Sequence, residues 1–570
     1  MSRIKLPAFI HDVIDDPRQR GILVAGALAM LAVGLVPRVL SPGLPNAQEA
    51  IRLQPEIQNV FLLLSFMSTA AIIVGGLVSD VLRRRWLLTG GLAVMSVGAI
   101  VALFAVRGIP FYLANVAAIG ASGVVLAYAI GSVAVAYEGI PRATALGMVY
   151  GAYGLGTAGA PVLVTLFPEI IPSTDPAVPD DFTFATWLAY LVAAAAAALA
   201  LWGARRWMPA LPGTLPAQRT LIISVAFWSL AILAIASGVL GLFAAAPDTL
   251  PVILIVGGGI ALATIVFRFR RSVVEWGHLR LDQRGIGAAL TVGMAVGFAQ
   301  AVPMMLLPVV FEYPFGYGTL LAIAAIAPFA LALVAAGPIA GILIRRFGPR
   351  GMMTSGTFVL GLANLAMAGS LLWLTGEMRD AFRADPTGAS GGLPEFNYLL
   401  FILPLALVGA GFVLATTVRT AIVFASTPRG LPGSAAAINE ASVGRGSRIG
   451  IVAATGAVAT VAMRSAEGMV VGRENADQLV GQFETLLVAL GTPRFKQLLE
   501  STYADPEPLR RAAYSAAYLD GVTWALLISG VIGIGGAILA YLLMGRRDPI
   551  KAVFDMQDER DREDYVPSVQ

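Results

Sequence analysis

The sequence predicts an all-α membrane protein, and three observations support this prediction. Charged residues make up 13% of the 570 residues and apolar residues make up 57%, whereas soluble globular domains are about 25% charged. The apolar residues gather in stretches close to the length of a membrane span. None of these stretches alternates with the period of two that a membrane β-barrel requires. Because lipid offers no partner to an unpaired backbone amide, the stretches must be helices.

The same composition limits the chemistry of the chain. It has no cysteine, and its two histidines, His11 and His278, lie in polar stretches outside the apolar ones. A disulfide framework, a thiolate metal site and a histidine-centred site within the membrane are therefore excluded. The sequence also has no Walker loop and no Ser/His/Asp set. We expect no enzymatic activity, no cofactor, no metal and no nucleic-acid partner.

Fourteen apolar stretches are long enough to cross a membrane. A hydrocarbon core about 30 Å thick takes about 20 helical residues. The first stretch exceeds the ~7–15 apolar residues of a cleavable signal, so we expect it to be a retained span. The predicted spans are 21–40, 57–79, 86–106, 111–137, 143–167, 182–204, 220–245, 250–267, 286–311, 317–344, 351–375, 397–426, 434–463 and 520–544.

The basic residues predict the orientation. If the N-terminus is inside, cytoplasmic segments hold 25 of the 39 basic residues and outer segments hold 10. By the positive-inside rule, we expect a multi-pass protein of the plasma or inner membrane with both termini in the cytoplasm. The long outer loop 464–519 is expected to hold one or two surface helices. The inner segment 268–284 is either a short interfacial helix or a basic linker.

A ten-residue pattern occurs twice in the chain. Residues 76–85 read GLVSDVLRRR and residues 341–350 read GILIRRFGPR, 265 positions later. Each copy has a glycine within a predicted helix, a charge four residues later and basic residues in a tight inner loop. Because transporters are commonly built from internal repeats, the pattern predicts two related halves.

This pattern resembles the inner-loop motif of the major facilitator superfamily, G-x-L-a-D-R-x-G-R-R, which recurs in both halves of its members. The first copy departs from the motif at Val81 and Arg83, and in the second copy Arg345 replaces the Asp. The matching residues are Gly76, Asp80, Arg84 and Arg85 in the first copy and Gly341, Leu343, Arg346, Gly348 and Arg350 in the second. The resemblance implies two six-helix bundles that rock about a central chamber.

The number of spans resembles that of the fourteen-helix drug/proton antiporter-like group, in which two additional helices lie between the bundles. Peptide/proton symporters share that pair, but the E-x-x-E-R signature of their first helix is missing here. The resemblance implies five parts. They are a cytoplasmic tail 1–20, a first bundle 21–208, an inserted two-helix linker 209–284, a second bundle 285–545 that includes loop 464–519, and a tail 546–570.

Span five resembles the antiporter motif G-x-x-x-G-P-x-x-G-G through Gly156 and Pro161, and Gly159 adds a further small residue. Pro161 would free a backbone carbonyl and let the helix bend. Close packing of small residues is the alternative. Proton-coupled members of the group carry an acidic residue in the first helix and an Arg in the fourth. Spans one and four lack these residues, so the resemblance does not imply proton coupling.

Charges within the predicted spans are candidates for function, because an unpaired charge in lipid is costly. Four such residues lie in the second half: Arg419, Glu440, Arg445 and Arg448. We predict that Arg419 pairs with Glu440 and that Arg448 faces the cavity, which would allow Glu440 to couple transport to protons. A static ion pair that fixes helix packing is the alternative.

The resemblance also implies a gate at the inner loops. In the family, the motif Asp lies against the helix equivalent to span thirteen, so Asp80 should meet Arg445 or the N-terminus of that helix, where the dipole favours an anion. In the second half, pseudo-symmetry pairs Arg345 with Glu138. The alternative is that the loop arginines only set the topology.

By analogy with the family, spans one, four, nine and twelve surround the cavity. The candidate lining residues are Arg38, Asn115, Tyr128, Gln300, Met304, Met305 and Arg419. Met and aromatic walls suit varied apolar ligands, although ordinary packing explains such residues as well. The arginines, with few deep acids beside them, favour neutral or anionic substrates over cations.

Together these observations predict a secondary transporter that uses a proton or other ion gradient to export a drug-like, amphiphilic or lipid-like small molecule. An importer of a small organic anion is one alternative. A non-transporting membrane scaffold or receptor with the same fold is another. We expect the protein to be a monomer in the lipid bilayer.

Overall fold

The computed structural model describes most of the predicted helices. The described residues are 15–40, 57–80, 84–105, 109–170, 184–208, 249–268, 284–317, 319–384, 398–427, 432–470 and 508–544, with isolated residues between 230 and 238 and between 480 and 484. This part of the chain is helical and contains no strand. The predicted all-α class is therefore confirmed.

The helices are numbered in chain order. They are α1 (Pro17–Leu40), α2 (Ile57–Ser79), α3 (Arg84–Phe104), α4 (Ile109–Ala136), α5 (Gly139–Ile170), α6 (Phe184–Trp207), α7 (Thr249–Arg268), α8 (Arg284–Glu312), α9 (Thr319–Ala324), α10 (Ala327–Ala384), α11 (Leu399–Ser426), α12 (Pro432–Val470) and α13 (Pro508–Leu543).

Helix α10 consists of two segments joined at Gly348. Its 58 residues would measure about 87 Å as one straight helix, far more than the hydrocarbon core of a membrane. Gly348 breaks the run with φ 72° and ψ 160°, a left-handed conformation that glycine adopts at little cost. Pro349 follows and suits the first position of a new helix. The second copy of the inner-loop motif is thus the bend between two spans.

Nine of the described helices have the length and hydropathy needed to cross a membrane: α1, α3, α4, α6, α8, α10, α11, α12 and α13. Large apolar side chains also lie on the outside of the molecule, as in Trp86, Phe104 and Leu542, which are 72%, 82% and 67% exposed. Such a surface is suited to lipid and not to water. The chain is a multi-pass membrane protein.

Several predicted features lie largely or wholly outside the described residues. They are span 220–245, the inner segment 268–284, most of the outer loop 464–519, and the tails, including both histidines. The count of fourteen spans therefore stays a prediction.

The helices form two groups. In the N-terminal group, α1 packs on α5 and α6, and α4 packs on α2 and α3. In the C-terminal group, α8 packs on α12, and α10 packs on α11 and α13. The two groups meet mainly where α5 packs on α10 and α2 packs on α12. The boundaries predicted from the sequence for the two bundles, 21–208 and 285–545, stay a prediction.

Arginine-rich helix ends meet on one face of the molecule, which we call the basic face. There, Arg85 of α3 donates a hydrogen bond to the backbone carbonyl of Arg205 in α6. Arg350 donates to the carbonyl of Tyr541 in α13 at 2.9 Å. Asp80, which follows α2, contacts the start of α12. Both copies of the inner-loop motif lie on this face.

Candidate functional site

A cavity of about 370 Å³ lies between the two helix groups. It is lined by α1, α2, α4 and α5 on one side and by α8, α11 and α12 on the other. The lining residues are Met30, Arg38, Ser68, Thr69, Ile72, Leu126, Tyr150, Tyr153, Gln300, Ala301, Met304, Met305, Phe412, Thr416, Glu440, Val443, Gly444, Ser447, Arg448 and Ile451. This volume falls within the range typical of small-molecule sites.

The structure brings most of the predicted cavity residues to this space. Arg38, Gln300, Met304 and Met305 line it, as does Arg448. Three of the predicted residues, Asn115, Tyr128 and Arg419, are not among the lining residues. Asn115 is buried between helices, where its side-chain amide donates to the carbonyl of Leu40 at 2.8 Å, and Tyr128 is buried in the core of the N-terminal group.

Arg419 is held in a buried hydrogen-bond network and not at the cavity wall. Its Nη2 lies 3.2 Å from Oε1 of Glu440, and both side chains are buried. The ion pair predicted from the sequence is therefore present. Nη1 donates to the backbone and side-chain oxygens of Asn439 at 2.7 Å each, and to Ser442 at 3.3 Å. A buried charge needs such partners, because leaving it unpaired costs several kcal/mol.

Glu440 also receives a hydrogen bond from the opposite helix group. The hydroxyl of Tyr150, in α5, donates to Oε1 of Glu440 at 2.6 Å and lies 3.0 Å from the hydroxyl of Thr420. The side-chain amide of Asn439 donates to the same carboxylate at 2.6 Å. This carboxylate thus links the two groups at the edge of the cavity.

Asp80 binds the start of α12 at the basic face. Its carboxylate accepts hydrogen bonds from the backbone amides of Gly433 and Ser434 and from the Ser434 hydroxyl, each at 2.7 Å. Of the two predicted partners of Asp80, the helix N-terminus is the one seen here. Arg445 lies twelve residues further along α12, about 18 Å along the helix axis. The first turn of a helix favours an anion because its amide groups lack helical partners.

Two glycine contacts let the helix groups approach closely near this face. A Cβ atom built on Gly433 would lie 2.2 Å from the carbonyl oxygen of Gly76, and one built on Gly147 would lie 2.0 Å from that of Gly337. These contacts are between backbones, so no side chain can give way. Larger residues at these positions would force α2 away from α12, or α5 away from α10.

The second motif copy binds within its own helix group. Besides its hydrogen bond, the guanidinium of Arg350 lies 3.8 Å from the ring centroid of Tyr541. Arg346 lies over the ring of Phe347 at 5.5 Å. Gly341 is buried, and Arg345 and Glu138 are both exposed. Pairing of Arg345 with Glu138 stays a prediction, and the Arg84 side chain lies outside the described residues.

The glycines of the antiporter-like motif have different surroundings. A Cβ atom on Gly156 would lie 2.3 Å from the carbonyl oxygen of Leu31 in α1, whereas one on Gly159 would meet nothing within 4 Å. Pro161 lies within the continuous helix α5. The role of Gly156 in close packing is therefore visible, while bending at Pro161 stays a prediction.

Sequence reasoning missed three features of this site: Tyr150, the Gly147–Gly337 contact and Gly433. Tyr150 is one of 14 tyrosines and the glycines are among 62, and no local pattern distinguishes them. Gly433 directly follows Pro432 at the start of a predicted span. That position is the signal from which a partner for Asp80 could have been inferred.

The protein-family model described as Major Facilitator Superfamily matches residues 22–451 of this chain. No curated protein matches the sequence. The fold is similar to the crystal structure of the human organic anion transporter MFSD10 (TETRAN), with 14% identity, a TM-score of 0.53, and coverage of 92% of this chain and 100% of that one.

Peptide transporters have a similar fold. The POT family transporter PepTSo gives 13% identity and a TM-score of 0.52, covering 95% of this chain and 98% of its own. An auto-inhibited POT family peptide transporter gives 12% identity and a TM-score of 0.51, covering 93% and 97%. At such low identities these similarities show the fold alone.

Proposed function

This chain belongs to the major facilitator superfamily, and we propose that it is a secondary active transporter that exports a drug-like, amphiphilic or lipid-like small molecule by alternating access. The family is one of transporters and not of enzymes. The single observation that supports our proposal is the cavity of about 370 Å³, because both helix groups line it. Rocking of the groups would open the cavity to one side and then to the other.

The walls of the cavity support an amphiphilic cargo. Met30, Met304, Met305 and Phe412 give apolar, adaptable surfaces. Polar groups line the same space and would contact a polar part of the cargo; they are Arg38, Ser68, Thr69, Tyr150, Tyr153, Gln300, Thr416, Glu440, Ser447 and Arg448.

Further parts of the proposal concern orientation, coupling and subgroup. The concentration of arginines on the basic face supports a cytoplasmic location for this face and for both termini. We also propose a location in the plasma or inner membrane, function as a monomer, and membership of the fourteen-helix drug/proton antiporter-like group. Glu440 is our candidate for proton coupling, because its carboxylate joins both helix groups through Tyr150 and Arg419.

A second candidate function is the import of a small organic anion. It is favoured by the two arginines that line the cavity, Arg38 and Arg448. Flux of labelled compounds into and out of proteoliposomes under an imposed proton gradient distinguishes export from import. A non-transporting scaffold or receptor would show neither flux.

A reversible cross-link tests alternating access directly, because the native chain has no cysteine. A Cβ atom built on Gly131 of α4 would lie 3.7 Å from Cβ of Ala436 in α12, a distance suited to a disulfide. We expect the Gly131→Cys/Ala436→Cys protein to lose flux on oxidation and to regain it on reduction. Each single cysteine variant should be insensitive to oxidation.

A matched control places the same cross-link within one helix group. Gly356 and Ala415, in α10 and α11, offer a Cβ separation of 3.4 Å. Their oxidised double-cysteine variant should retain flux, because it does not join the two groups. Unchanged flux in the oxidised 131/436 protein would refute rocking at this face.

A further inference from the structure

Two guanidinium groups from opposite helix groups face the same cavity. Arg38 lies on α1 and Arg448 lies on α12, and both line the space. Glu440 is the only carboxylate among the described lining residues, and it already accepts hydrogen bonds from Arg419, Tyr150 and Asn439. Arg419, which lies behind the cavity wall, pairs with this carboxylate, so the charges of Arg38 and Arg448 are left facing the cavity. The cavity is therefore electropositive.

The two arginines differ in what holds them. Arg38 is positioned by its neighbours: Nη1 donates to the Gly34 carbonyl at 3.1 Å, Nη2 donates to the Tyr153 hydroxyl at 3.4 Å, and the guanidinium lies 5.6 Å from the Tyr153 ring centroid. Arg448 makes no hydrogen bond or ion pair within the described part of the chain. A partly buried guanidinium without a partner is costly, so this position is suited to a ligand that supplies an anion.

We propose that Arg38 and Arg448 form a two-armed site for the head group of an amphiphilic organic anion. Arginine binds carboxylate, sulfonate and phosphate oxygens in a planar, two-point geometry. The neighbouring Met304, Met305 and Phe412 would contact an apolar or aromatic body. This inference rests on the proposed transport function, to which it adds the charge class of the substrate and the residues that select it.

The placement of the two arms on opposite groups has a mechanical consequence. Like charges that face one low-dielectric space repel each other. An anion bound between them removes this repulsion and attracts both arms. The ligand therefore stabilises the arrangement in which both helix groups contact it, and binding favours closure around the cargo.

Binding of three matched probes tests the site. The probes share a naphthalene body and carry a carboxylate (2-naphthoate), a neutral amide (2-naphthamide) or an ammonium group (2-naphthylmethylamine). Equilibrium dialysis of the radiolabelled compounds against the purified full chain in nanodiscs gives each Kd. We expect 2-naphthoate to bind at least about tenfold more tightly than the other two.

Substitutions assign the effect to the two arms. Arg38→Gln and Arg448→Gln should each weaken 2-naphthoate binding about tenfold or more and leave 2-naphthamide binding within about twofold. Arg448→Lys should recover part of the loss, because it keeps the charge without the planar fork. Arg464→Gln is the matched control, since Arg464 is an exposed arginine further along the same helix, and it should bind like wild type. The unchanged affinity for 2-naphthamide shows that the variants are folded.

Three results would overturn this site. They are equal affinity for the three probes, 2-naphthoate binding that survives Arg448→Gln, and inorganic phosphate that competes as strongly as 2-naphthoate, which would indicate a site for small anions alone. The assay also separates this inference from the proposed function. Anion binding without flux in proteoliposomes would refute transport and keep the site, whereas flux of neutral compounds without anion preference would refute the site and keep transport.

Discussion

Tyr150 and Glu440 lie in different helix groups and share a hydrogen bond of 2.6 Å beside the cavity. The bond joins α5 to α12, and the same carboxylate oxygen is held by Arg419 at 3.2 Å. A charged acceptor strengthens the bond that it receives. The contact between the two groups therefore depends partly on this carboxylate.

Removing the Tyr150 hydroxyl should weaken the contact between the two helix groups. A hydrogen bond to a charged group contributes about 1.5–3 kcal/mol, so Tyr150→Phe should shift the conformational equilibrium about tenfold or more toward opening at the basic face. The reporter is a single cysteine at Gly131, which lies close to Pro432 and Ala436 at the meeting point of α4 and α12. Its labelling by a maleimide that cannot cross the membrane should become faster. Tyr398→Phe is the control, since that hydroxyl donates at 2.6 Å to Ala325 within the C-terminal group, and it should leave the labelling rate unchanged.

Neutralising Glu440 should abolish any coupling to protons. Glu440→Gln keeps an oxygen that accepts from Tyr150 but removes the charge that pairs with Arg419. The titratable groups near this carboxylate are Arg419 and Tyr150, which bond to it, and Arg38, Tyr153 and Arg448, which line the same cavity. We expect substrate flux in proteoliposomes to lose its dependence on an imposed proton gradient, while binding of the substrate persists. A variant with unchanged flux and unchanged proton dependence would assign Glu440 a structural role only.

Asp80 should act as a gate residue. Asp80→Asn removes the charge and leaves one oxygen for the three donors of Gly433 and Ser434. Because bonds from a helix N-terminus to an anion are charge-assisted, the basic face should open more often, with labelling of the Gly131 cysteine about tenfold faster. Asp520→Asn is a matched control, as Asp520 is a buried carboxylate bonded to Ser465 within the C-terminal group. Equal acceleration by both variants would mean that general destabilisation and not gating is responsible.

Closure should also require the glycine contact between α5 and α10. Gly147→Ala places a methyl group 2.0 Å from the carbonyl oxygen of Gly337, and backbone atoms cannot move aside without separating the helices. We expect flux to be lost while the protein remains folded, as judged by size-exclusion chromatography. Gly120→Ala, where nothing lies within 4 Å of the added methyl, should transport normally. Normal flux in Gly147→Ala would show that the two groups need not approach this closely.

Patterns of composition and spacing predicted the fold well, because membranes impose simple rules. A run of about twenty apolar residues has one stable state in lipid, so the helix positions followed from the sequence. The repeated motif predicted that Asp80 meets the span-thirteen helix, and the rarity of buried charges led to the Arg419–Glu440 pair. These last two predictions depended on charged residues, which are rare within membrane-spanning helices.

The parts that the sequence could not predict depend on how neutral residues pack. Tyr150 lies on α5 in the N-terminal group and Glu440 lies on α12 in the C-terminal group. The two residues come within bonding distance because the two groups pack against each other. Analogy with the family places Asn115 of span four at the cavity, yet its side-chain amide donates to the carbonyl of Leu40 instead. A polar side chain in a helix bundle can line a cavity or satisfy a buried backbone group. Only the three-dimensional packing distinguishes these two roles.

The antiporter-like motif in α5 should separate into a packing residue and a tolerant one. Gly156→Ala places a methyl group 2.3 Å from the carbonyl oxygen of Leu31 in α1, whereas Gly159→Ala meets nothing within 4 Å. Overpacking of this kind costs about 1–3 kcal/mol, so Gly156→Ala should lower the midpoint of thermal unfolding in detergent and Gly159→Ala should not.

If helix bending at Pro161 also matters for transport, Gly159→Ala and Pro161→Ala should slow flux without lowering that midpoint, since alanine stiffens the helix. Normal flux and an unchanged midpoint in both of these variants would leave close packing through Gly156 as the motif's role.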